Sequence, residues 1–235
     1  MDIPHPEGQP KRILLGIFSC HRYQYITNDL MQDWFTRPVT DRLSGIRDSW
    51  LKDVTCDYKV FKGKPCSRIE PLPDEVFLDA SDDYHHSFEK IRALISYALD
   101  GGYDYLLKVD DDVYVYWDRI LKNIPTADYV GGPVGTDYCS GMTYWLSKHA
   151  MEFLRSAPTG NWAEDRWVGE SLRRKGINCS FDGRYHIAHQ SKTNQYISDE
   201  ELAKPNEYLS VHSLSPDQMR GYYASRSSGH PGILQ

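Results

Sequence analysis

Apolar positions fall into alternating blocks along the chain. Residues 13–18, Ile-Leu-Leu-Gly-Ile-Phe, form a continuous apolar run. Such a run predicts a strand buried on both faces, as in a parallel sheet. Residues 57–62 and 75–79 read as shorter strands. Over 84–100, Phe88, Ile91, Leu94, Ile95, Ala98 and Leu99 follow a helical period that Gly101-Gly102 stops. A strand is predicted over 104–115, a helix over 117–123, and two strands within 129–147 around Gly131-Gly132-Pro133. Helices are predicted over 23–35, 40–52, 148–156 and from Glu164 to Lys175. Residues 185–235, rich in tyrosine and serine, read as irregular.

The β–α alternation predicts an α/β fold, a single Rossmann-like domain with a mostly parallel central sheet. The domain is read as 13–220, between a flexible arm (1–12) and a C-terminal tail (221–235). No internal repeat or low-complexity segment interrupts it.

One polar cluster breaks the pattern. Asp110-Asp111-Asp112 follows Tyr105-Leu106-Leu107-Lys108-Val109 and precedes Val113-Tyr114-Val115. An acidic triplet is usually a solvated turn or a helix cap. Here it interrupts a β-prone apolar run, at the carboxyl end of a strand, where open α/β sheets place ligands. Two carboxylates ~4 Å apart repel by about 1 kcal/mol in water and about 4 kcal/mol at an effective dielectric of ~20. Such crowding calls for a cation, and oxygen donors suit Mg²⁺ or Mn²⁺. These ions commonly hold diphosphates, so a phosphorylated substrate is expected.

Composition narrows the classes. The chain has 235 residues and a formal net charge of −6, which argues against nucleic acid as a partner. No apolar stretch approaches the ~18 residues of a membrane span. The polar, proline-rich Met1–Pro10 stretch fits neither a signal peptide nor an anchor. The expectation is a cytoplasmic protein, or one from which an anchor has been removed. The five cysteines are odd in number and lack Cys-x-x-Cys spacing, so no structural zinc site is expected and at least one thiol is unpaired. Cys56 and Cys66 are close enough in sequence to close a short loop under oxidising conditions. Asn178-Cys179-Ser180 fits a glycosylation sequon.

Five segments, in order, resemble one family. They are Arg42-Leu43-Ser44-Gly45-Ile46-Arg47-Asp48-Ser49-Trp50; Asp104 through Val113 with the triplet; Tyr138-Cys139-Ser140-Gly141; Glu164-Asp165-Arg166-Trp167-Val168-Gly169; and Val211-His212-Ser213-Leu214-Ser215-Pro216-Asp217-Gln218-Met219. Together they are similar to glycosyltransferase family 31, the β-1,3-galactosyltransferase and β-1,3-N-acetylglucosaminyltransferase family related to Fringe. The segment Cys20-His21-Arg22-Tyr23-Gln24-Tyr25 and the stretch up to Asp41 depart from its pattern. The resemblance implies a soluble cytoplasmic member of microbial or viral origin, or else a Golgi lumenal domain trimmed of its anchor.

The resemblance implies a GT-A fold, a UDP-sugar donor carrying galactose or N-acetylglucosamine, Mn²⁺ (or Mg²⁺), a glycan or glycoconjugate acceptor, and inversion at the anomeric carbon. It implies Asp112 as the direct metal ligand, with Asp110 also in the metal set, near the ribose or a metal-bound water, and Asp111 against the donor sugar or the acceptor. It points to His212 as the second metal ligand, ahead of His186 and His189; a surface histidine is the plainer alternative. Asp165 becomes the general base that takes the acceptor's proton, where spacing alone reads as helix N-capping. Arg42 and Arg47 become nucleotide contacts, as readily read as a solvated basic helix face. Lys90 and Gly141 join the donor-binding set. Trp50 reads as core, and Trp145, Trp162 and Trp167 as candidate sugar-stacking surfaces, although any one tryptophan is more often core.

Two other readings compete. A carbohydrate-binding or inactive module of the same fold would not need Asp112 and Asp165. A metal-dependent nucleotidyltransferase would release pyrophosphate instead of UDP and leaves Glu164–Gly169 unexplained.

Overall fold

The computed structural model describes residues 11–21, 42–65, 70–134, 137–160, 163–186, 208–212 and 214–227. The predicted helix at 23–35, Trp162, His189 and Cys66 lie outside them.

Seven strands form the central sheet in the order β3-β2-β1-β4-β7-β6-β8. They are β1 (Ile13–Phe18), β2 (Asp57–Lys62), β3 (Glu75–Phe77), β4 (Tyr105–Asp110), β6 (Tyr129–Val134), β7 (Tyr138–Ser147) and β8 (Ser180–Phe181). β1 pairs in parallel with β2 and β4, β2 with β3, and β6 with β8; β7 runs antiparallel to both β4 and β6. The sheet is therefore mostly parallel, as the alternation predicts.

Strand alternation divides the core between the two faces. Leu14, Leu106 and Leu146 point to one side, against α2 (Ser87–Asp100), α4 (Lys148–Arg155) and α5 (Glu164–Arg173) through Leu94, Ile95, Met151, Val168 and Leu172. Leu15, Ile17, Leu107, Val109 and Trp145 point to the other. There they meet Ile46 of α1 (Arg42–Arg47), Trp50, α3 (Trp117–Lys122), a second sheet, and Met219 of α6 (Pro216–Ser227). Each fully buried aliphatic side chain stabilises the fold by about 1.5–3 kcal/mol. Gly16 of β1 keeps this packing close: a Cβ there would stand 3.1 Å from a methyl of Leu106 and 3.2 Å from one of Leu94.

The structure departs from the predicted elements in three places. The strand expected over 104–115 is two strands: β4 ends at Asp110, Asp111-Asp112 form a turn, and β5 (Val113–Val115) enters a second sheet of order β5-β10-β9 with β9 (Tyr185–His186) and β10 (Ser210–His212). The turn lets Val113, Tyr114 and Val115 bury completely without carrying three carboxylates into the ladder. The region read as irregular after 185 holds β9, β10 and the helix Pro216–Ser227, which runs across the expected start of the C-terminal tail. The helix expected over 40–52 is α1 followed by a 3₁₀ turn at Trp50–Asp53.

Cysteine pairing also differs from expectation. Cys139 is bonded to Cys179, and Cys56 carries a free thiol. Among the described residues no helix is long and apolar enough to cross a membrane.

Candidate active site

β1, β2, β3 and β4 are parallel, and the chain leaves β1 toward β3 and returns to β4 on the other side of β1. The carboxyl ends of β1 and β4 therefore frame a switch point, the crevice where open α/β sheets bind ligands. Phe18 is in register with Asp110, so the residues just beyond face one another. Ser19 Oγ donates to Asp111 Oδ2 at 2.7 Å, closing the crevice floor.

Asp111 and Asp112 share a cation. Arg42, at the start of α1, donates from Nη1 to Asp111 Oδ1 at 3.3 Å and to Asp112 Oδ2 at 3.0 Å. Gly45 sets the placement of α1, because a Cβ there would lie 2.6 Å from the Pro216 Cα of α6.

His212 reaches the triplet through strand pairing. β10 lies antiparallel to β5 with His212 opposite Val113, and Leu214 N–H donates to the Asp112 carbonyl at 3.1 Å. His212 Nε2 is 3.4 Å from Asp112 Oδ2, and both side chains are largely buried. Burial raises the Asp112 pKa, but the charges of His212 and Arg42 outweigh it and hold the carboxyl well below the usual carboxylate range.

Asp110 turns the other way. Its Oδ1 accepts from Lys108 Nζ at 2.6 Å, and the same ammonium donates to Glu164 Oε1 at 2.8 Å and to the Gly141 carbonyl. Tyr144 OH donates to Glu164 Oε2 at 2.6 Å. Burial pushes the Asp110 carboxyl up, to about 7, against the pull of Lys108. Burial also raises Glu164, the Lys108 charge opposing it.

Asp165 follows Glu164 in the first turn of α5 and is half-buried. Its Oδ2 accepts from the Gly141 N–H at 3.2 Å. A Cβ at Gly141 would meet Glu164 Oε1 at 2.7 Å, so a larger residue here would push the Glu164 carboxylate from its place. A small cleft, about 170 Å³ including its open mouth, adjoins His212 and is lined by Ser140, Thr143, Tyr185 and Ser210.

The expected site residues thus divide. Arg42, Asp111, Asp112 and His212 form one cluster, and Asp110, Gly141 and Asp165 form a second, joined through Lys108. Lys90 lies beneath the crevice, donating to the Ser19 carbonyl at 2.7 Å and to Asp82 Oδ1 at 3.2 Å. Arg47 does not join them; it pairs with Asp74 at 2.9 Å and with Glu75 at 3.0 Å. Trp145 and Trp167 are core, 0% and 2% exposed, so neither offers a face to a sugar. The ring burial follows from their positions, on a central strand and on the sheet-facing side of α5.

Metal fit is decided by the donor set. Asp112 Oδ2 and His212 Nε2 face each other at 3.4 Å, and Arg42 Nη1 also donates to that oxygen; such an oxygen–nitrogen pair would suit Mn²⁺ better than Mg²⁺. Among the described residues no group of three or more His, Cys, Asp or Glu side chains is placed to hold a metal ion. With two donors, the pair would need substrate phosphate and water to complete an ion's shell.

No protein-family model matches the chain, and no curated protein matches it significantly. Solved structures resemble it in outline. One, from Desulfovibrio desulfuricans G20 and provisionally named a nucleotide-diphospho-sugar transferase, has a TM-score of 0.49 at 13% identity, covering 74% of this chain and 80% of that one. A glycosyltransferase involved in glycosylation of the major capsid of PBCV-1 has a TM-score of 0.48 at 14% identity, covering 92% and 100%. The catalytic domain of Drosophila β1,4-galactosyltransferase 7 has a TM-score of 0.41 at 13% identity, covering 73% and 65%. These are likenesses in the path of the chain and assign no chemistry.

Sequence reasoning gave no role to Lys108 or Ser19, and named Glu164 only as part of a motif. Lys108 had a signal: it is the one charged residue before Asp110 in a strand that is otherwise apolar, and a buried ammonium requires carboxylates. Ser19 had none, because its partner is set by the register of β1 and β4.

Proposed function

We propose that this chain is an inverting, metal-dependent glycosyltransferase of GT-A type. It moves galactose or N-acetylglucosamine from a UDP-sugar to a glycan hydroxyl, forming a β-1,3 linkage. The observation that supports the reading is the pairing of Asp112 with His212 at 3.4 Å just beyond β4, with Asp165 tied to the neighbouring Asp110 through Gly141 and Lys108. Asp112, His212 and Asp165 come from three separate segments that resemble family 31, and the strand order leaves the crevice open at the sheet's switch point.

Each residue then has a task. Asp112 and His212 would hold Mn²⁺ or Mg²⁺, whose charge would offset that building on the departing diphosphate. Arg42, already bridging Asp111 and Asp112, is positioned to turn its guanidinium toward phosphate oxygens. Lys90 and Ser19 fix the end of β1 beside the nucleotide. Asp165 takes the proton from the acceptor hydroxyl as that oxygen attacks the anomeric carbon. Attack on the face opposite the leaving diphosphate would invert the configuration.

The Cys139–Cys179 disulfide adds a preference for compartment. Disulfides persist in oxidising surroundings, which favours the lumenal alternative over a cytoplasmic one.

The test is Asp165→Asn. Transfer should fall about 10²-fold or more while calorimetric UDP binding in Mn²⁺ stays at the wild-type value. Undiminished transfer would remove Asp165 from the role.

A further inference from the structure

Lys108 is 1% exposed within a strand buried on both faces. All three ammonium donors are used, on Asp110, Glu164 and the Gly141 carbonyl. Both oxygens of Glu164 are held as well, by Lys108 and Tyr144. A buried ion network of this kind is weak evidence for stability, since a well-packed apolar set of similar volume is often as stable or more so. Its position suggests a different use.

The three acceptors of Lys108 belong to three elements, and each carries part of the site. Asp110 ends β4 and begins the aspartate turn. Gly141 lies on β7 and donates its N–H to Asp165. Glu164 opens α5 and is followed directly by Asp165.

We propose that Lys108 is a positioning residue that ties the end of β4 to β7 and the start of α5, and thereby fixes Asp165 relative to Asp112. The inference rests on the reading of Asp165 as the general base. A base displaced by about 1 Å loses on the order of 10²-fold in rate, so a clamp one residue from it acts on turnover more than on binding.

Lys108→Met leaves the buried Glu164 carboxylate without its cation beside a part-exposed Asp110 and can prevent folding. The main variant is therefore the near-isosteric Glu164→Gln, which keeps the side chain's size and one acceptor oxygen for Lys108, turns the other acceptor into an NH2 donor toward Tyr144 OH, and removes the charge that grips Lys108. Transfer is measured per UDP-binding site, so that a misfolded fraction does not count. Expected is a fall in kcat of about 10- to 100-fold with donor KM within about twofold and Mn²⁺-dependent UDP binding unchanged. The double variant Lys108→Met/Glu164→Gln should be no slower than the slower single variant, because the two act as one unit. Full kcat per site in Glu164→Gln, or equal losses in kcat and UDP affinity, would overturn the clamp. Wild-type protein is assayed alongside: an inactive wild type removes the function reading, whereas an active wild type with an undiminished Glu164→Gln removes only the clamp.

Discussion

His212 Nε2 stands 3.4 Å from Asp112 Oδ2 because β10 pairs with β5, directly after the aspartate turn. The second sheet thus delivers a histidine from the last part of the chain to a carboxylate at the end of the first sheet. His212→Ala should leave the fold intact, since β10 is held by backbone pairing on both sides. It should weaken Mn²⁺-dependent UDP binding by more than the roughly 10- to 100-fold that follows loss of an outer-shell partner. Calorimetry with and without Mn²⁺ checks this; equal affinities for the variant and the wild type in Mn²⁺ would remove His212 from the ligand set.

Gly169 governs the approach of α5 to β7. A Cβ at this position would stand 2.2 Å from the Tyr138 Cβ. Gly169→Ala should destabilise the protein by about 1–3 kcal/mol through overpacking. It should also lower transfer, since the same helix carries Glu164 and Asp165. Thermal melting together with the rate per folded molecule tests both effects.

The disulfide should matter to stability. Linking Cys139 to Cys179, 40 residues apart, removes loop entropy worth about 4 kcal/mol from the unfolded chain. Reduction, or Cys139→Ser with Cys179→Ser, should lower Tm by roughly 10 °C for a domain of this size. Melting curves recorded with and without reductant would reveal the difference, and coincident curves would show that the bond contributes nothing.

Acid stability should depend on Glu75. Burial raises its pKa, but hydrogen bonds from Lys62 and Arg47 outweigh burial and hold the carboxyl below its ordinary 4.5. A depressed folded-state pKa gives stability that is complete above the unfolded value. That stability is lost as pH falls through the folded value. Glu75→Gln should therefore cost about 1.5–3 kcal/mol near neutral pH and lose less than wild type between about pH 5 and 3. Parallel acid limbs for the two proteins in Tm against pH would contradict this.

Much of the central fold was legible in the sequence because its signals are local. β1 is an uninterrupted apolar run, α2 an amphipathic stripe stopped by Gly101-Gly102, and the triplet a break in a β-prone stretch. The second sheet was hidden because its strands have two or three residues, too few for a period, and pair only through distant contacts. Helix Pro216–Ser227 was missed for a related reason. Its tyrosines and arginines trace no clean apolar stripe, and its placement comes from packing on α1, with Gly45 against Pro216. Cysteine connectivity cannot be read from spacing; Cys139 and Cys179 meet only after α5 has crossed back to β6 and β8. In the candidate site, Asp112, Asp165 and Arg42 were singled out through motifs. Lys108 was overlooked because its meaning lies in Glu164, on another element.

The most direct measurement is UDP release by the purified protein from a panel of UDP-sugars, with Mn²⁺ and again with EDTA. Mn²⁺-dependent release from UDP-galactose or UDP-N-acetylglucosamine, abolished by EDTA and by Asp112→Ala, is expected. Pyrophosphate as the product, or release that EDTA leaves unchanged, would contradict a metal-dependent glycosyltransferase.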